Sequence, residues 1–167
     1  PNGAAYNING FETVTYNGSG TGNAAAQVFG AITMAADGTG IDTLNFTGSN
    51  SITTGVITAN VVDASGLTGT AFFTNVGAPT VGVTSLTGSA NADTLVGSAT
   101  ATTITGGAGV DTITGGAAAD TISGGAGNDN INGGAGNNTI NGDAGNDRIV
   151  GDAGNQTLNG GDGDDAI

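Results

Sequence analysis

Cysteine, histidine, lysine and tryptophan are absent from this chain, proline occurs twice, and the only basic side chain is Arg148. Each absence removes a class of function. Without cysteine there is no disulfide framework, and without cysteine or histidine no thiolate or imidazole ligand to favour zinc or copper. The same two gaps take away the usual general base and thiol nucleophile, and one arginine leaves little to bind an anionic transition state. Paired carboxylates of the glycosidase kind are the remaining route to catalysis, and the expectation is that this chain is not an enzyme. With 14 acidic residues the formal net charge is −13, which excludes nucleic acid as a partner and disfavours anionic lipid unless a cation bridges the two. No run of apolar residues is long enough to span a membrane. The chain opens at Pro1 with neither Met nor a signal peptide and stops at Ile167, so it is expected to be a piece of a longer polypeptide.

What the sequence has in abundance is glycine, 34 residues of 167, and from Gly88 onward the glycine is periodic. A nine-residue unit repeats without insertion or deletion, with glycine opening it at 88, 97, 106, 115, 124, 133, 142, 151 and 160. Its eighth position is Leu95, Ile104, Ile113, Ile122, Ile131, Ile140, Ile149, Leu158 and Ile167. Gly, Asn and Asp fill positions one to six and turn easily, while positions seven to nine place one aliphatic between polar neighbours. Each unit therefore reads as a turn followed by a short strand.

The best copies, Gly106-Gly107-Ala108-Gly109-Val110-Asp111-Thr112-Ile113-Thr114 and Gly124-Gly125-Ala126-Gly127-Asn128-Asp129-Asn130-Ile131-Asn132, follow G-G-x-G-x-D-x-U-x with U a large aliphatic. In this the chain resembles the RTX, or hemolysin-type, calcium-binding repeat family over about half its length. The resemblance implies a parallel β-roll in which successive strands go to two facing sheets, two units making a coil of 18 residues. Units two apart then stack, roughly 4.8 Å per coil.

That alternation sorts the sixth position into two columns. Odd units contribute Asp93, Asp111, Asp129, Asp147 and Asp165; even units contribute Thr102, Asp120, Asn138 and Gln156. Carboxylates stacked at coil spacing repel by about 3 kcal/mol per gap at an effective dielectric near 20. A divalent cation in each gap reverses the sign, and an oxygen-only ligand set suits Ca²⁺. Up to four ions are expected on the odd edge, between Asp93 and Asp111, Asp111 and Asp129, Asp129 and Asp147, and Asp147 and Asp165. The family pattern adds turn carbonyls as ligands, here from Gly107, Gly109, Gly125, Gly127, Gly145 and Gly163. The first gap is the weakest, since its turn, Gly88-Ser89-Ala90-Asn91-Ala92, lacks the second and fourth glycines; on the even edge a site at Asp120 faces only Thr102 and Asn138. Turn capping by Asp explains single residues but not a column on one edge.

Residues 1–86 share the composition without the period. Short β-rich runs separated by Gly, Asn and Ser recur, and no window has a helical period. One isolated unit, Asp37-Gly38-Thr39-Gly40-Ile41-Asp42-Thr43-Leu44-Asn45, matches the repeat from its second position and makes Asp42 a further candidate calcium ligand. The expected fold is all-β, a right-handed parallel β-solenoid that is irregular and broader over 1–86 and narrows to an RTX β-roll over 87–167. Six of the seven aromatics lie within residues 1–72, which fits a wider core there.

Composition rich in Ala, Thr, Gly, Asn and Ser, with phrases such as Asn9-Gly10-Phe11-Glu12-Thr13-Val14 and Val62-Asp63-Ala64-Ser65-Gly66-Leu67-Thr68-Gly69, also resembles Caulobacter-type bacterial surface-layer (S-layer) proteins. That resemblance implies a secreted, calcium-stabilised structural protein on the surface of a Gram-negative cell, exported by type I secretion and self-assembling into a lattice or filament, with a cell-surface polysaccharide as a candidate partner. The alternatives are a calcium-dependent secretion and folding module of an RTX exoenzyme or toxin, and an RTX adhesin presenting the outward Thr103, Thr121, Thr139 and Thr157.

Overall fold

The computed structural model describes residues 6–9, 13–17, 27–28, 32–35, 43–54, 57–68, 73–75 and 83–167. Among these every element is a β-strand, every pairing between strands is parallel, and no helix is long and apolar enough to cross a membrane. The chain is a β-solenoid built on two long sheets. The eight-stranded sheet stacks Thr13–Asn17, Thr43–Gly48, Val61–Leu67, Ser85–Thr87, Thr103–Ala108, Thr121–Ala126, Thr139–Ala144 and Thr157–Asp162. The seven-stranded sheet stacks Gln27–Val28, Ile52–Thr54, Phe73–Asn75, Thr94–Val96, Thr112–Gly116, Asn130–Gly134 and Arg148–Val150.

The register follows the nine-residue unit. Ile104 pairs with Ile122 and Ile140 with Leu158 on one sheet, and Ile113 with Ile131 and Ile131 with Ile149 on the other. Even and odd units thus take opposite sheets, and units two apart lie on one another. The strands run further than positions seven to nine. On the eight-stranded sheet they continue through the opening glycines, with Gly107 paired to Gly125 and Ala108 to Ala126. Ladder hydrogen bonds need no side chain, so in-register stacking extends the pairing over residues whose own strand propensity is poor.

The first half has a third wall. Tyr6–Asn9, Ile32–Ala35 and Ile57–Thr58 form a three-stranded parallel sheet, so a coil there carries three strands. The advance per coil is also uneven: Thr13 pairs with Thr43 and Thr43 with Val61, then Val61 with Ser85 and Ser85 with Thr103. Beyond Ile57–Thr58 the described chain keeps two walls. Both long sheets nevertheless pass from the irregular half into the repeats without interruption.

The core tracks this narrowing. Leu44, Phe46, Ile52, Ile57, Val62 and Leu67 fill the wider part, where Phe46 meets Tyr16 edge-on at 6.4 Å between centroids. In the repeats the core is reduced to one aliphatic per unit, Leu95 through Ile149, all buried. At the end of the described repeats Leu158 is partly buried and Ile167 is exposed.

Candidate metal centre

Position six lies where the chain has turned out of one sheet and is about to enter the other, and its side chain points into the coil. The residue that leaves room for it is the first glycine of its own unit. A β-carbon on Gly106 would collide with Oδ2 of Asp111, and one on Gly124 or Gly142 with Oδ2 of Asp129 or Asp147. Asp93, Asp111, Asp129 and Asp147 are accordingly all buried, and Asp165 is partly so.

One oxygen of each carboxylate ties two coils together. The amide N–H of Asp93 donates to Oδ1 of Asp111 at 2.8 Å, and the same bond recurs from Asp111 to Asp129, Asp129 to Asp147 and Asp147 to Asp165. The gap between successive carboxylates is therefore bridged by an N–H rather than being a bare repulsion, which the unit's sequence does not disclose.

The other oxygen has no such partner. Oδ2 of Asp111, Asp129 and Asp147 is buried without a hydrogen bond, and so is Oδ2 of Asp120 on the second edge. A carbonyl of the next coil approaches the same glycine: the spot that a β-carbon of Gly106 would fill is crowded by both Asp111 Oδ2 and the carbonyl of Gly124, and the next coils repeat this with Gly142 and Gly160. A buried carboxylate oxygen facing carbonyls, with no donor, needs either a proton or a cation. Among the described residues no three acidic, sulfur or imidazole groups converge, so an ion on this edge draws on at most two carboxylates and completes its shell with carbonyls.

A family model of the RTX calcium-binding nonapeptide repeat, four copies long, matches residues 87–122, 96–131, 105–140, 123–155 and 141–167. Residues 87–167 are RTX calcium-binding nonapeptide repeats. No curated protein and no solved structure matches the chain.

RTX repeats bind Ca²⁺, and the donor set here fits that ion: hard oxygens only, with buried carboxylate oxygens left unsatisfied by the protein itself. The carbonyls of Gly107, Gly109, Gly127 and Gly145 point along the stack, each against the α-carbon of the glycine one coil on, at Gly125, Gly127, Gly145 and Gly163. Those later glycines have φ between 108° and 136°, where a side chain would add strain to the clash. The carbonyls beside the orphan oxygens, at Gly124, Gly142 and Gly160, belong to position one and escape a sequence reading centred on positions two and four. Glycine at position one of every unit is the signal that could have found them.

Two further RTX units depart from the pattern. In the first, both oxygens of Asp93 already have donors, since the Ser89 amide bonds Oδ2 and the Ser89 hydroxyl bonds Oδ1 at 3.0 Å. In the seventh, Asp143 stands where the adjacent coils have Gly125 and Gly161, holding φ at 73° with its carboxylate against Ser123 and Asn141. Asp42 lies outside the described residues.

Burial sets the acidity of this column. It pushes the Asp111 carboxyl up to about 7; the Asp93 N–H opposes the shift, and the charges of Asp93 and Asp129 add to it. Burial raises Asp129 as well, opposed by the Asp111 N–H and reinforced by Asp147 and Asp143, and it raises Asp120. A carboxyl whose acidity is weakened by folding gives stability that is whole below its unfolded value near 4 and is lost as pH climbs through the folded value. The metal-free protein should hold more β-structure at pH 4.5 than at pH 7.5, and calcium should bind more tightly as pH rises across that interval, because the ion takes the deprotonated group. Circular dichroism of calcium-stripped protein at the two pH values checks this; β-content that grows with pH in the absence of metal would contradict it.

Proposed function

We propose that this chain is a calcium-stabilised structural segment of a secreted bacterial surface-layer or surface-filament protein, which folds when it meets extracellular calcium. RTX repeat proteins are typically exported by type I secretion and work outside the cell, and their β-roll is a structural calcium-binding fold rather than a catalytic one. The observation that carries the reading is the row of buried, donor-free carboxylate oxygens repeated coil after coil along one edge. We assign one ion to each of three gaps, Asp111/Asp129, Asp129/Asp147 and Asp147/Asp165, with turn carbonyls completing each shell. The gap at Asp93 is left out because Ser89 already satisfies that carboxylate.

Support for the surface-layer assignment comes from the Caulobacter-like composition and from the continuity of the two long sheets among the described residues. The two long sheets start in the irregular half and run on through the repeats, as suits a filament or lattice strut more than a short tail behind an enzyme. Such modules bind calcium at about 10⁻⁴ to 10⁻³ M, so the millimolar calcium outside a cell folds the segment and cytosolic calcium leaves it exportable. Calcium titration followed together by circular dichroism and light scattering tests both levels. A coil-to-β transition accompanied by ordered assemblies is expected. Folding to a stable monomer would remove the surface-layer assignment and leave a secretion module or adhesin.

A further inference from the structure

The second edge of the roll has the same turns and the same buried position, but its column reads Thr102, Asp120, Asn138, Gln156. The ladder bond survives there. The Thr102 amide donates to Oδ1 of Asp120 at 2.8 Å, that of Asp120 to Oδ1 of Asn138 at 2.8 Å, and that of Asn138 to Oε1 of Gln156 at 3.1 Å. What changes is the second atom of each side chain.

In Asn138 that atom is Nδ2, and it donates to the carbonyls of Gly133 at 3.0 Å and Gly134 at 3.3 Å. It occupies the place of the orphan oxygen on the other edge: a β-carbon on Gly133 would stand 2.9 Å from Asn138 Nδ2, as one on Gly124 would meet Asp129 Oδ2. The orientation of the amide is fixed by its neighbours, since the side that receives an N–H must be oxygen and the side that faces two carbonyls must be nitrogen. Gln156, one methylene longer, sends Nε2 to the carbonyls of Gly136 at 2.8 Å and Ala153 at 3.1 Å. At Thr102 two buried hydroxyls serve: Thr102 Oγ1 donates among Val83 O, Thr100 O and Ser98 Oγ.

We infer that the side-chain amides of Asn138 and Gln156 stand in for calcium, so that position six decides, coil by coil, whether a turn needs the ion or closes without it. The inference rests on the calcium reading of the odd edge. An amide brings its own donors to carbonyls that a carboxylate can only face across a cation. It also brings no charge, so the column from Asn138 to Gln156 has no repulsion to offset. The roll is thereby two-sided: one edge is governed by calcium, while the other is latched by hydrogen bonds and keeps its turns at 133–138 and 151–156 when calcium is scarce. An edge of this kind leaves a template on which the metal-dependent edge can close.

Two substitutions in the full chain test the exchange in opposite directions. Asn138→Asp removes the two donors and places a carboxylate next to Asp120. By calorimetric titration with calcium chloride it should take up about one ion more per chain than the wild type, and its folding midpoint should move to higher calcium. Asp129→Asn does the reverse on the other edge: it should lose ions yet hold more β-structure than the wild type in chelator, because a buried charge has been exchanged for a pair of donors. A wild type that binds calcium, with Asn138→Asp adding none and Asp129→Asn no more ordered in chelator, overturns the inference and leaves the odd-edge reading intact. A wild type that binds no calcium overturns both. If Asn138→Asp fails to fold, Asp129→Asn alone decides, since its expected effect is a gain of metal-free structure.

Discussion

Stripped of calcium at neutral pH, residues 87–167 will lose most of their parallel β-structure, and millimolar calcium will restore it. The repeats have little else to hold them. Each nine-residue unit buries a single aliphatic, such as Ile113 or Ile131, against the ordering of a glycine-rich turn, where the loss of backbone freedom is greatest. Into that thin core the fold also draws Asp111, Asp129 and Asp147, each with one oxygen lacking any donor. Ions held at the odd edge change the balance. With millimolar calcium at about one to ten times the dissociation constant, each site adds about 0.4–1.4 kcal/mol, so three add about 1–4 kcal/mol, a large share of a margin that is only about 5–15 kcal/mol in ordinary domains. The irregular half should respond less, since its strands bury more than one apolar side chain each, Leu44 with Phe46 on one and Val62 with Ala64 and Leu67 on the next. Amide hydrogen exchange in calcium and in chelator makes the comparison residue by residue. Protection across 103–150 that is the same in both would mean that hydrophobic and ladder contacts suffice and that calcium is incidental to the fold.

How far the sequence could be read depended on what each feature rests upon. The two sheets, their 18-residue coil and the pairing of Ile113 with Ile131 follow from a strict period, because in a solenoid every unit sees the same neighbours. The third sheet, at Tyr6–Asn9, Ile32–Ala35 and Ile57–Thr58, has no such signal; its coils advance unevenly, and short β-rich runs do not say which wall they join. Within the site, the odd column of Asp residues was legible as spacing. That its Oδ1 atoms bond the preceding coil while Oδ2 is stranded depends on side-chain rotation, which spacing does not carry. The departures of Ser89 and Asn138 were hidden for a related reason. Both are ordinary turn residues by composition, and only the geometry reveals that each places donors where other units lack them.

Replacing Asp129 with Ala should cost two ions rather than one. Asp129 sits in the middle of the column and faces a carboxylate in both directions: its Oδ1 receives the Asp111 amide and its own amide binds Oδ1 of Asp147. The substitution empties a position shared by the gaps above and below, and an ion left with a single carboxylate is weakly held. The Asp111 N–H also loses its acceptor, and a lost hydrogen bond to a charged group costs about 1.5–3 kcal/mol. The outer turn provides the control. Asp164 is exposed, its amide donates to Asn146, and its side chain has no place in the column, so Asp164→Ala should leave the calcium count and the folding midpoint close to wild type. Equilibrium dialysis against calcium distinguishes the cases. A loss of two ions means that each carboxylate is shared between neighbouring coils, which makes binding along the edge cooperative. A loss of one means that each Asp serves its own turn alone, and an unchanged count would return the column to a purely hydrogen-bonded role, with the ladder from Asp93 to Asp165 acting as a spine of N–H to carboxylate bonds.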